Sequence, residues 1–327
     1  MGDREPVLDR EAFGEHAAMS AHVLGVDLGG SNVRAVLADA SGRILADAAT
    51  PTAQDEARAV VAQIVHLCRD VATSAAVPLS RIAAAGLGVP GAVHLDGREL
   101  RLAPNLPSFV ELDLAGVLGD ELGVPVVLDN DVNVATLAEQ RHGLGAGLAD
   151  FVFIAVGTGI GMGIVASGRL QRGATGAAGE IAYLPLGRDP FEPGHQINGA
   201  LEEAAGGVGV ARRYAELAGD AVSALDVYER AATGDPHARA VLDDQARAIA
   251  LAVVSAQSML DPALVVFGGG IGSRADVVAR VRAYVDRLTR RQPAIEVSRL
   301  GERAGLIGAA ELARAHADGR LTETLPR

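Results

Sequence analysis

Three polar residues in a row follow an apolar stretch, and their types and position fit acid–base chemistry. The segment reads PVVLDNDVNVA, so Asp129, Asn130 and Asp131 come after a buried strand and directly before a predicted helix. A helix cap needs only one such residue. A carboxylate at a strand end that faces a cleft is well placed to take a proton from a hydroxyl group. We therefore predict Asp131 as a general base, with simple capping of the next helix as the alternative.

A first glycine-rich turn, in VDLGGSNVR, has the composition of a phosphate site. Its small residues follow a strand that ends near Asp27, and they are Gly29, Gly30, Ser31 and Asn32. Successive backbone N–H groups in such a turn form a concave anion site. A carboxylate beside that site suits Mg²⁺ held through water. We predict phosphate binding here with Asp27 as a magnesium ligand, although an ordinary hairpin turn explains this segment alone equally well.

A second glycine-rich turn, in VGTGIGMGIV, has glycine at every other position. Its glycines are Gly157, Gly159, Gly161 and Gly163, with Thr158 between the first two. A turn needs one or two glycines, whereas four alternating ones indicate a backbone that lies against a ligand. We predict a second phosphate loop, with Thr158 as a donor. A glycine-rich hairpin without a ligand is the alternative.

A third glycine run, in LVVFGGGIG, connects a buried strand to a helix. Ligands of open α/β sheets bind beyond the carboxyl ends of the strands. Gly268, Gly269 and Gly270 lie at such an end and leave room for an adenine or a ribose. Close packing of the strand on the helix is the alternative interpretation.

The elements that must position these residues mix strands and helices in two comparable halves. Each half opens with a strand, a glycine turn and a returning strand, which predicts an α/β fold with two similar domains and a cleft between them. The main predicted strands cover 22–28, 33–39, 83–93, 125–131, 151–157, 162–168 and 264–270. The main predicted helices cover 54–76, 113–122, 199–260 (several), 273–290 and 305–317.

The composition of the 327 residues excludes several kinds of active site. All 29 basic residues are Arg, which excludes a P-loop lysine, a protein-kinase site and a lysine Schiff base. The net charge of −12 argues against nucleic acid, and no apolar run is long enough to span a membrane. Cys68, the single cysteine, sits at helical spacing and is predicted to be a buried core thiol. We expect a cytoplasmic protein.

Taken in order, six segments resemble the ROK family (repressors, open reading frames and sugar kinases) over residues 22–317. They are VDLGGSNVR, PNLP, LDNDVNVA, VGTGIGMGIV, GAAGEI and FGGGIG. The resemblance implies an actin-like, hexokinase-like ATPase fold with two similar lobes around a cleft. We expect one lobe from 21–131 plus 305–327 and the other from 132–304, after a disordered tail at 1–20.

The resemblance also implies an activity, namely transfer of the γ-phosphoryl group of ATP to a hexose hydroxyl, as in a glucokinase. ATP and Mg²⁺ are then the cofactors, a small sugar is the substrate, Asp131 is the catalytic base, and a homodimer or homotetramer is expected. The sugar ligands implied by the resemblance are Asn105, Asn130, Asp131, Glu180 and Glu202. The main alternative is a non-catalytic sugar sensor related to ROK regulators, whereas the sugar-type residues disfavour an actin-like ATPase.

One segment departs from the family pattern. Where the family has G-E-I-G-H, this chain has Ala182 and Tyr183 in the last two places, and no cysteine follows. Ala200 stands where another family ligand is expected, and a lone His195 without thiolates makes a poor zinc site. We therefore predict no zinc, other packing for this segment, and a shifted sugar preference in which the Tyr183 hydroxyl is a candidate sugar contact.

Overall fold

The computed structural model describes residues 22–53, 57–93, 100–101 and 112–320. The expected tail at 1–20 and the sugar ligand Asn105 lie outside these residues. The strands, in chain order, are β1 (His22–Leu28), β2 (Asn32–Ala38), β3 (Ile44–Pro51), β4 (Ile82–Val89), β5 (Ala92–Val93), β6 (Leu100–Arg101), β7 (Val126–Asn130), β8 (Phe151–Val156), β9 (Ile160–Ala166), β10 (Arg169–Leu170), β11 (Leu264–Gly268) and β12 (Ala294–Val297).

The helices of the described residues lie mostly in the second half of the chain. In chain order they are α1 (Ala57–Ser74), α2 (Leu114–Leu122), α3 (Asp131–His142), α4 (Pro193–Gln196), α5 (Ala200–Ala205), α6 (Gly207–Ala218), α7 (Ala224–Thr233), α8 (Pro236–Leu260), α9 (Gly269–Gly272), α10 (Ala275–Leu288) and α11 (Ala304–Ala317). Across the part of the chain that the structure describes, none of these helices combines the length and apolarity needed to cross a bilayer.

Two five-stranded sheets share one design. The first has the order β3-β2-β1-β4-β7 and the second has the order β10-β9-β8-β11-β12. In each sheet an antiparallel hairpin, β1–β2 or β8–β9, is followed by parallel pairing of its first strand with later strands. This repeated topology confirms the predicted α/β fold with two similar halves.

Helices cover both faces of each sheet, and α3 and α11 lie between the two sheets. The first sheet packs α1 and α2 on one face and α11 on the other. Gly25 and Gly86 allow the close approach of α11, because a Cβ on either would lie 2.6 Å or 2.1 Å from α11 backbone atoms. α3 packs on α11 and on β8 and β9. The N-terminus of α3 is therefore held where the two halves meet.

The helix α1 contains the single cysteine. Cys68 is buried in it, and burial raises the pKa of its thiol to about 12. This confirms the prediction of a core thiol.

Two predicted strands were drawn too long. The stretch 83–93 is divided, since β4 ends at Val89 and β5 begins at Ala92. Pro90 and Gly91 make the break, because proline cannot donate to a sheet ladder and Gly91 adopts a φ of +100°. The stretch 264–270 is also shorter, since β11 ends at Gly268 and α9 begins with Gly269 at a φ of +80°. In both places the prediction continued a strand on apolar composition alone, whereas the structure ends the strand there.

Candidate active site

The three polar residues before α3 divide into three different roles. Asn130 is the N-cap of α3, since its Oδ1 accepts from the N–H groups of Val132 at 2.9 Å and Asn133 at 3.1 Å. Its Nδ2 donates to the carbonyl of Gly91 at 3.0 Å, which leaves one amide hydrogen for a sugar. Asp131 is already inside the helix, at its first position. Capping therefore belongs to Asn130, and the alternative interpretation of Asp131 does not hold.

Asp129 is buried and anchors the start of α3. Its Oδ1 accepts from the backbone N–H of Asn130 at 2.8 Å and from Asn133 Nδ2 at 3.0 Å. Its Oδ2 contacts Arg172, at 2.8 Å from Nε and 2.6 Å from Nη2. Arg172 belongs to the segment that leads to Glu180, so this ion pair ties the two halves together behind Asp131. Sequence reasoning missed Arg172, whose only signal was a basic residue within a glycine-rich segment.

Asp131 lies between two other carboxyl groups. Burial, then the charge of Asp27 and then that of Glu180 raise the pKa of Asp131 to about 7, while the Val132 N–H at 2.8 Å opposes the shift. A general base is most useful when its pKa lies near the working pH. The structure thus brings Asp131 together with Asp27 and Glu180, although Asp27 and Glu180 are more than a hundred residues apart in the chain.

Asp27 is half-buried at the end of β1. The first turn of α11 lies so close that a Cβ on Gly305 would be 2.9 Å from the Asp27 carboxyl carbon. Burial raises the pKa of Asp27, and Arg34 partly offsets this. Arg34 is the cross-strand partner of Asp27 and donates to Glu302, at 3.1 Å from Oε2 and 3.3 Å from the carbonyl oxygen. A cation therefore stands beside the predicted phosphate site, which the sequence argument had assigned to glycine backbone and metal.

The chemistry of Asp27 and Asp131 fits a magnesium ion. The Asp27 carboxylate makes no hydrogen bond or ion pair within the described residues, and its charge raises the pKa of Asp131. Two neighbouring, partly buried carboxylates repel each other, and a cation bound between them would stabilise their charged forms. Mg²⁺ is usually held by one or two carboxylates together with water and substrate phosphates. Among the described residues there is no cluster of three or more His, Cys, Asp or Glu able to hold a metal, so a cage made by protein alone is not present there.

Glu180, Glu202 and Tyr183 form the other side of the site. Burial raises the pKa of Glu180, and the charge of Glu202 raises it further. Burial also raises the pKa of the Tyr183 phenol, with added effects of Glu180 and Glu202. Glu202 Oε2 accepts from the Ile160 N–H at 3.1 Å, which fixes its position over the β8–β9 turn. The Glu180 backbone bonds to Ala177 and Tyr183, but its carboxylate has no hydrogen-bond partner within the described residues and is available to a ligand.

The β1–β2 turn is held from one side and open on the other. Thr52 donates through Oγ1 to the Gly29 carbonyl at 2.6 Å and through its N–H to the Ser31 carbonyl at 2.9 Å. Gly30, Ser31 and Asn32 are exposed. A Cβ on Gly30 would meet nothing within 4 Å. The turn is thus fixed with space in front of it.

The β8–β9 turn and the β11–α9 junction contain similar open positions. A Cβ on Gly270 would meet nothing within 4 Å, and one on Gly157 would meet only the Gly270 N, at 4.0 Å. Thr158, at the tip of the β8–β9 turn, is exposed, and its hydroxyl has no partner within the described residues. By contrast, Gly159 and Gly161 have neighbours that fill the space of a side chain.

Polar contacts hold the segment that departs from the family pattern. Glu203 is buried at the start of this region's helices and accepts from Asn198 Nδ2 at 3.0 Å. Its other carboxylate oxygen accepts from Arg212 on α6. His195 lies in the short helix α4 and its Nδ1 donates to the Asp189 carbonyl at 3.0 Å. The buried Glu203, on α5, therefore links the loop residue Asn198 to α6.

Comparison with known proteins identifies relatives over most of the chain. The ROK family model matches residues 23–316. The chain is 30% identical to a glucokinase of Halalkalibacterium halodurans, over 87% of this chain and 92% of that one. It is 32% identical to an N-acetylmannosamine kinase of Escherichia coli O1:K1, over 89% and 98%. The crystal structure of a ROK family glucokinase from Streptomyces griseus in complex with glucose and AMPPNP superposes with a TM-score of 0.76 at 29% identity, covering 90% of this chain and 99% of that one.

Proposed function

Because this chain belongs to the ROK family, we propose that it is a sugar kinase that transfers the γ-phosphoryl group of ATP to a hexose hydroxyl. The observation that carries the proposal is the setting of Asp131. Its pKa of about 7 results from burial between Asp27 and Glu180, at the point where two glycine turns and a helix N-terminus meet. A structural carboxylate would instead be paired, as Asp129 is with Arg172.

In the proposed mechanism, Asp131 accepts the proton of the attacking sugar hydroxyl. Glu180 and Glu202 accept hydrogen bonds from other sugar hydroxyls, and Asn130 donates its remaining amide hydrogen. Asn105 belongs to the same proposal through the family resemblance. Phosphoryl transfer requires mainly positioning and electrostatic stabilisation. The fixed α3 N-terminus and the Ile160–Glu202 bond supply positioning, which supports this assignment of roles.

The proposed nucleotide site follows the three glycine segments. The phosphates lie against the turns that contain Gly29, Gly30, Ser31 and Asn32, and Gly157, Thr158, Gly159 and Gly161. The adenosine lies near Gly268, Gly269 and Gly270. Asp27 would hold Mg²⁺ through water, and the ion when bound neutralises charge that develops on the phosphates. Arg34 adds a positive charge beside the first turn.

The proposed substrate is a hexose, and the relatives narrow the first sugars to test. Glucose and N-acetylmannosamine are named for the compared kinases. Tyr183 stands where the family has histidine, and its phenol lies near both Glu180 and Glu202. A raised phenol pKa keeps the hydroxyl protonated as a hydrogen-bond donor. We propose that Tyr183 contacts the sugar and sets the preference between hexoses.

We also propose an oligomeric state for the protein and a division of the chain into two lobes. The family resemblance supports a cytoplasmic homodimer or homotetramer, and light scattering of the purified chain would measure its mass in solution. The prediction of no zinc rests instead on the departure from the family pattern at Ala182 and Tyr183, after which no cysteine follows. The lobe division at 131 and 305 is supported by the sheet topology, since the first sheet ends with β7 and the second begins with β8.

The test is a coupled ADP-release assay with Mg·ATP against glucose, fructose, mannose, N-acetylglucosamine and N-acetylmannosamine. We expect ADP release with at least one sugar in the wild-type chain. Asp131→Ala should reduce kcat by about 10³-fold or more while the sugar still raises the melting temperature. Sugar-induced stabilisation without ADP release from the wild-type chain would favour the sensor alternative. An unchanged kcat in the variant would remove Asp131 from the mechanism.

A further inference from the structure

A basic cavity lies outside the active site, between α3, the β9–β10 hairpin and α11. Its volume is about 240 Å³, well above the roughly 10–15 Å³ that a cavity needs to hold one water molecule. That volume accommodates a phosphate group together with a small organic part. The lining residues used below are Gln140, Arg141, Arg169, Arg172, Glu311 and Arg314, with Arg320 and Ala315 at the edge formed by the C-terminal part of the chain.

The lining has more positive than negative charge, in a chain whose net charge is −12. Five arginines contribute to it, against one carboxylate, Glu311. That carboxylate is already engaged, because His142 Nε2 lies 2.9 Å from its Oε1 and Arg314 donates to Oε2. Arg320 pairs with Asp318, which also lies 3.9 Å from Arg314. The nearby carboxylates therefore neutralise only part of the arginine charge.

Two of the arginines lack any protein partner within the described residues. The guanidinium groups of Arg141, in the last turn of α3, and of Arg169, at the start of β10, make no hydrogen bond or ion pair there. Both side chains are exposed at the mouth of the cavity. Guanidinium groups carry five donors in a planar fork that matches phosphate oxygens. Two unpaired groups at one cavity are suited to a doubly charged anion.

The third arginine supplies a buried donor without a partner. The Arg172 side chain is 11% exposed, and its Nε and Nη2 are bound to Asp129. Its Nη1 is buried and has no hydrogen-bond partner. A buried charged donor that is left unsatisfied costs free energy, so native structures rarely keep one without a ligand or water. Because Arg172 also lines the cavity, an anion bound against its guanidinium would supply the acceptor that Nη1 lacks.

The cavity is separate from the proposed active site. None of its lining residues belongs to the glycine turns, to Glu180 or to Glu202. Gln140 lies nine residues after Asp131 on the same helix, a distance of about 13 Å along α3. The Asp129–Arg172 ion pair is the direct link between the two places.

We propose that this cavity binds a small phosphate-bearing anion, held by Arg172 Nη1 with Arg141 and Arg169 at its mouth. The shared chemistry of the ligand is a phosphate dianion, which is present both in free phosphate and in phosphomonoesters. The site does not depend on the kinase proposal, because none of its residues takes part in phosphoryl transfer.

Isothermal titration calorimetry of the whole chain tests this site, with inorganic phosphate in one arm and glycerol 3-phosphate in the other. Saturating Mg·AMPPNP is present to keep phosphate out of the proposed nucleotide site. The first variant, Arg141→Gln with Arg169→Gln, removes the two unpaired charges and leaves the Asp129 pair intact. The second, Ala315→Leu, narrows the cavity without a change of charge. The matched control, Arg58→Gln, removes an exposed charge from α1, on the opposite face of the first sheet.

We expect at least one probe to bind the wild-type chain and the control with the same Kd. Both cavity variants should raise that Kd about tenfold or more, since charge-assisted hydrogen bonds are lost or space is removed. Tighter binding of the ester identifies a phosphorylated metabolite, and equal or weaker binding of the ester identifies free phosphate. Equal Kd values in all four proteins, or no saturation of the wild-type chain by either probe below about 10 mM, would overturn the proposal. So would a changed oligomeric state in the double variant with unchanged phosphate binding, because the face would then be an interface. If AMPPNP fails to bind, the kinase proposal fails, yet the cavity signal can still be measured.

Discussion

The two glycine turns are alike in sequence, but their glycines have different surroundings. In the β1–β2 turn, a Cβ on Gly30 would meet nothing within 4 Å. In the β8–β9 hairpin, a Cβ on Gly159 would lie 2.1 Å from Glu202 Oε2, and one on Gly163 would lie 1.8 Å from Thr136 Oγ1. The second hairpin therefore needs most of its glycines to pack against α3 and α5. In the first turn, no atom of the described residues fills the space of a Gly30 Cβ.

The same difference divides the glycine run after β11. A Cβ on Gly268 would lie 2.4 Å from the Phe153 ring, and Gly269 has a φ of +80°. Gly270 has neither a close neighbour nor a positive φ. Each glycine segment thus contains at least one position that the folded chain does not itself require to be glycine.

This contrast shows how to distinguish a glycine that is required by close packing from a glycine that leaves room for a ligand. A missing side chain indicates a ligand only where the space is open and the backbone conformation is ordinary. Gly30, Gly157 and Gly270 meet both conditions, and they come from three segments that the sequence assigned to one nucleotide. Gly194, in the short helix α4, also meets them and supplies a control outside those segments.

Asp129 and Asp131 differ in the same way, since one is paired within the protein and the other is not. We expect the largest change in the free energy of unfolding at these two residues. Asp129→Asn breaks a buried ion pair and leaves Arg172 uncompensated, so the free energy of unfolding should fall by about 3–5 kcal/mol. Asp131→Asn removes a carboxylate whose pKa is raised, so at pH 8 it should stabilise the chain, by about 4 kcal/mol. Urea unfolding of the two variants at pH 8 measures both changes.

The sign of the Asp131 effect depends on pH. The folded pKa is about 7 and the ordinary value is 3.8, so the folded chain holds this proton more tightly than the unfolded chain. The contribution of Asp131 is therefore most favourable below about pH 4 and declines as the pH rises to about 7. The advantage of Asp131→Asn should shrink toward zero between pH 7 and pH 4. A destabilised Asp131→Asn chain at pH 8 would show that the carboxylate has a structural partner.

The next effect concerns the open glycine of the first turn. Gly30→Ala adds a methyl group where the proposed phosphates lie, so kcat/KM for ATP should fall about 100-fold, since a displacement of about 1 Å can cost that much. The free energy of unfolding should change by less than about 0.5 kcal/mol. The matched control is Gly194→Ala, which should leave both kcat/KM and stability unchanged. Equal losses of activity in both variants would contradict the proposal that Gly30, and not Gly194, lies beside the phosphates.

The packed glycine should behave in the opposite way. Gly163→Ala forces its new methyl group onto Thr136, which is fully buried and donates to the Val132 carbonyl at 2.6 Å. Overpacking of this kind costs about 1–3 kcal/mol. Thermal or urea unfolding measures this loss, while KM for ATP should stay close to the wild-type value in the folded fraction. A stable Gly163→Ala chain with weakened ATP binding would mean that this glycine also faces a ligand.

Much of the fold followed from patterns that the chain carries locally. The strands of the hairpins are short apolar runs bounded by glycine turns, and α1 has apolar residues at a spacing of about 3.6. The structure confirms β1, at His22–Leu28, to the residue. The errors came where a turn interrupts an apolar run, as at Pro90 and Gly91. No local pattern separates a strand that stops from one that continues with small apolar residues.

The candidate site was predictable in its residue types but not in its division of labour. The sequence singled out Asp131 as the base, but it gave Asp129 no role and did not show that Asn130 is the helix cap. Asp129 is defined by Arg172, which is 43 residues away in the chain. The alternating glycines were interpreted as ligand contacts, whereas their partners on α3 and α5 are visible only once the halves meet.

We expect the smallest effect at Tyr183, on the sugar side of the site, where a substitution that removes one oxygen atom should change only KM for the sugar. Tyr183→Phe removes only the hydroxyl, so loss of one neutral hydrogen bond of about 0.5–1.5 kcal/mol should raise KM for the preferred sugar about 3–10-fold, with kcat little changed. The side chain is 40% exposed, so stability should not change. Tyr284→Phe is the control, because it removes a hydroxyl that donates to Asp243 between α10 and α8. If Tyr183→Phe leaves KM unchanged for every sugar, the phenol lies near Glu180 and Glu202 without touching the substrate, and the sugar preference must be set by the carboxylates alone.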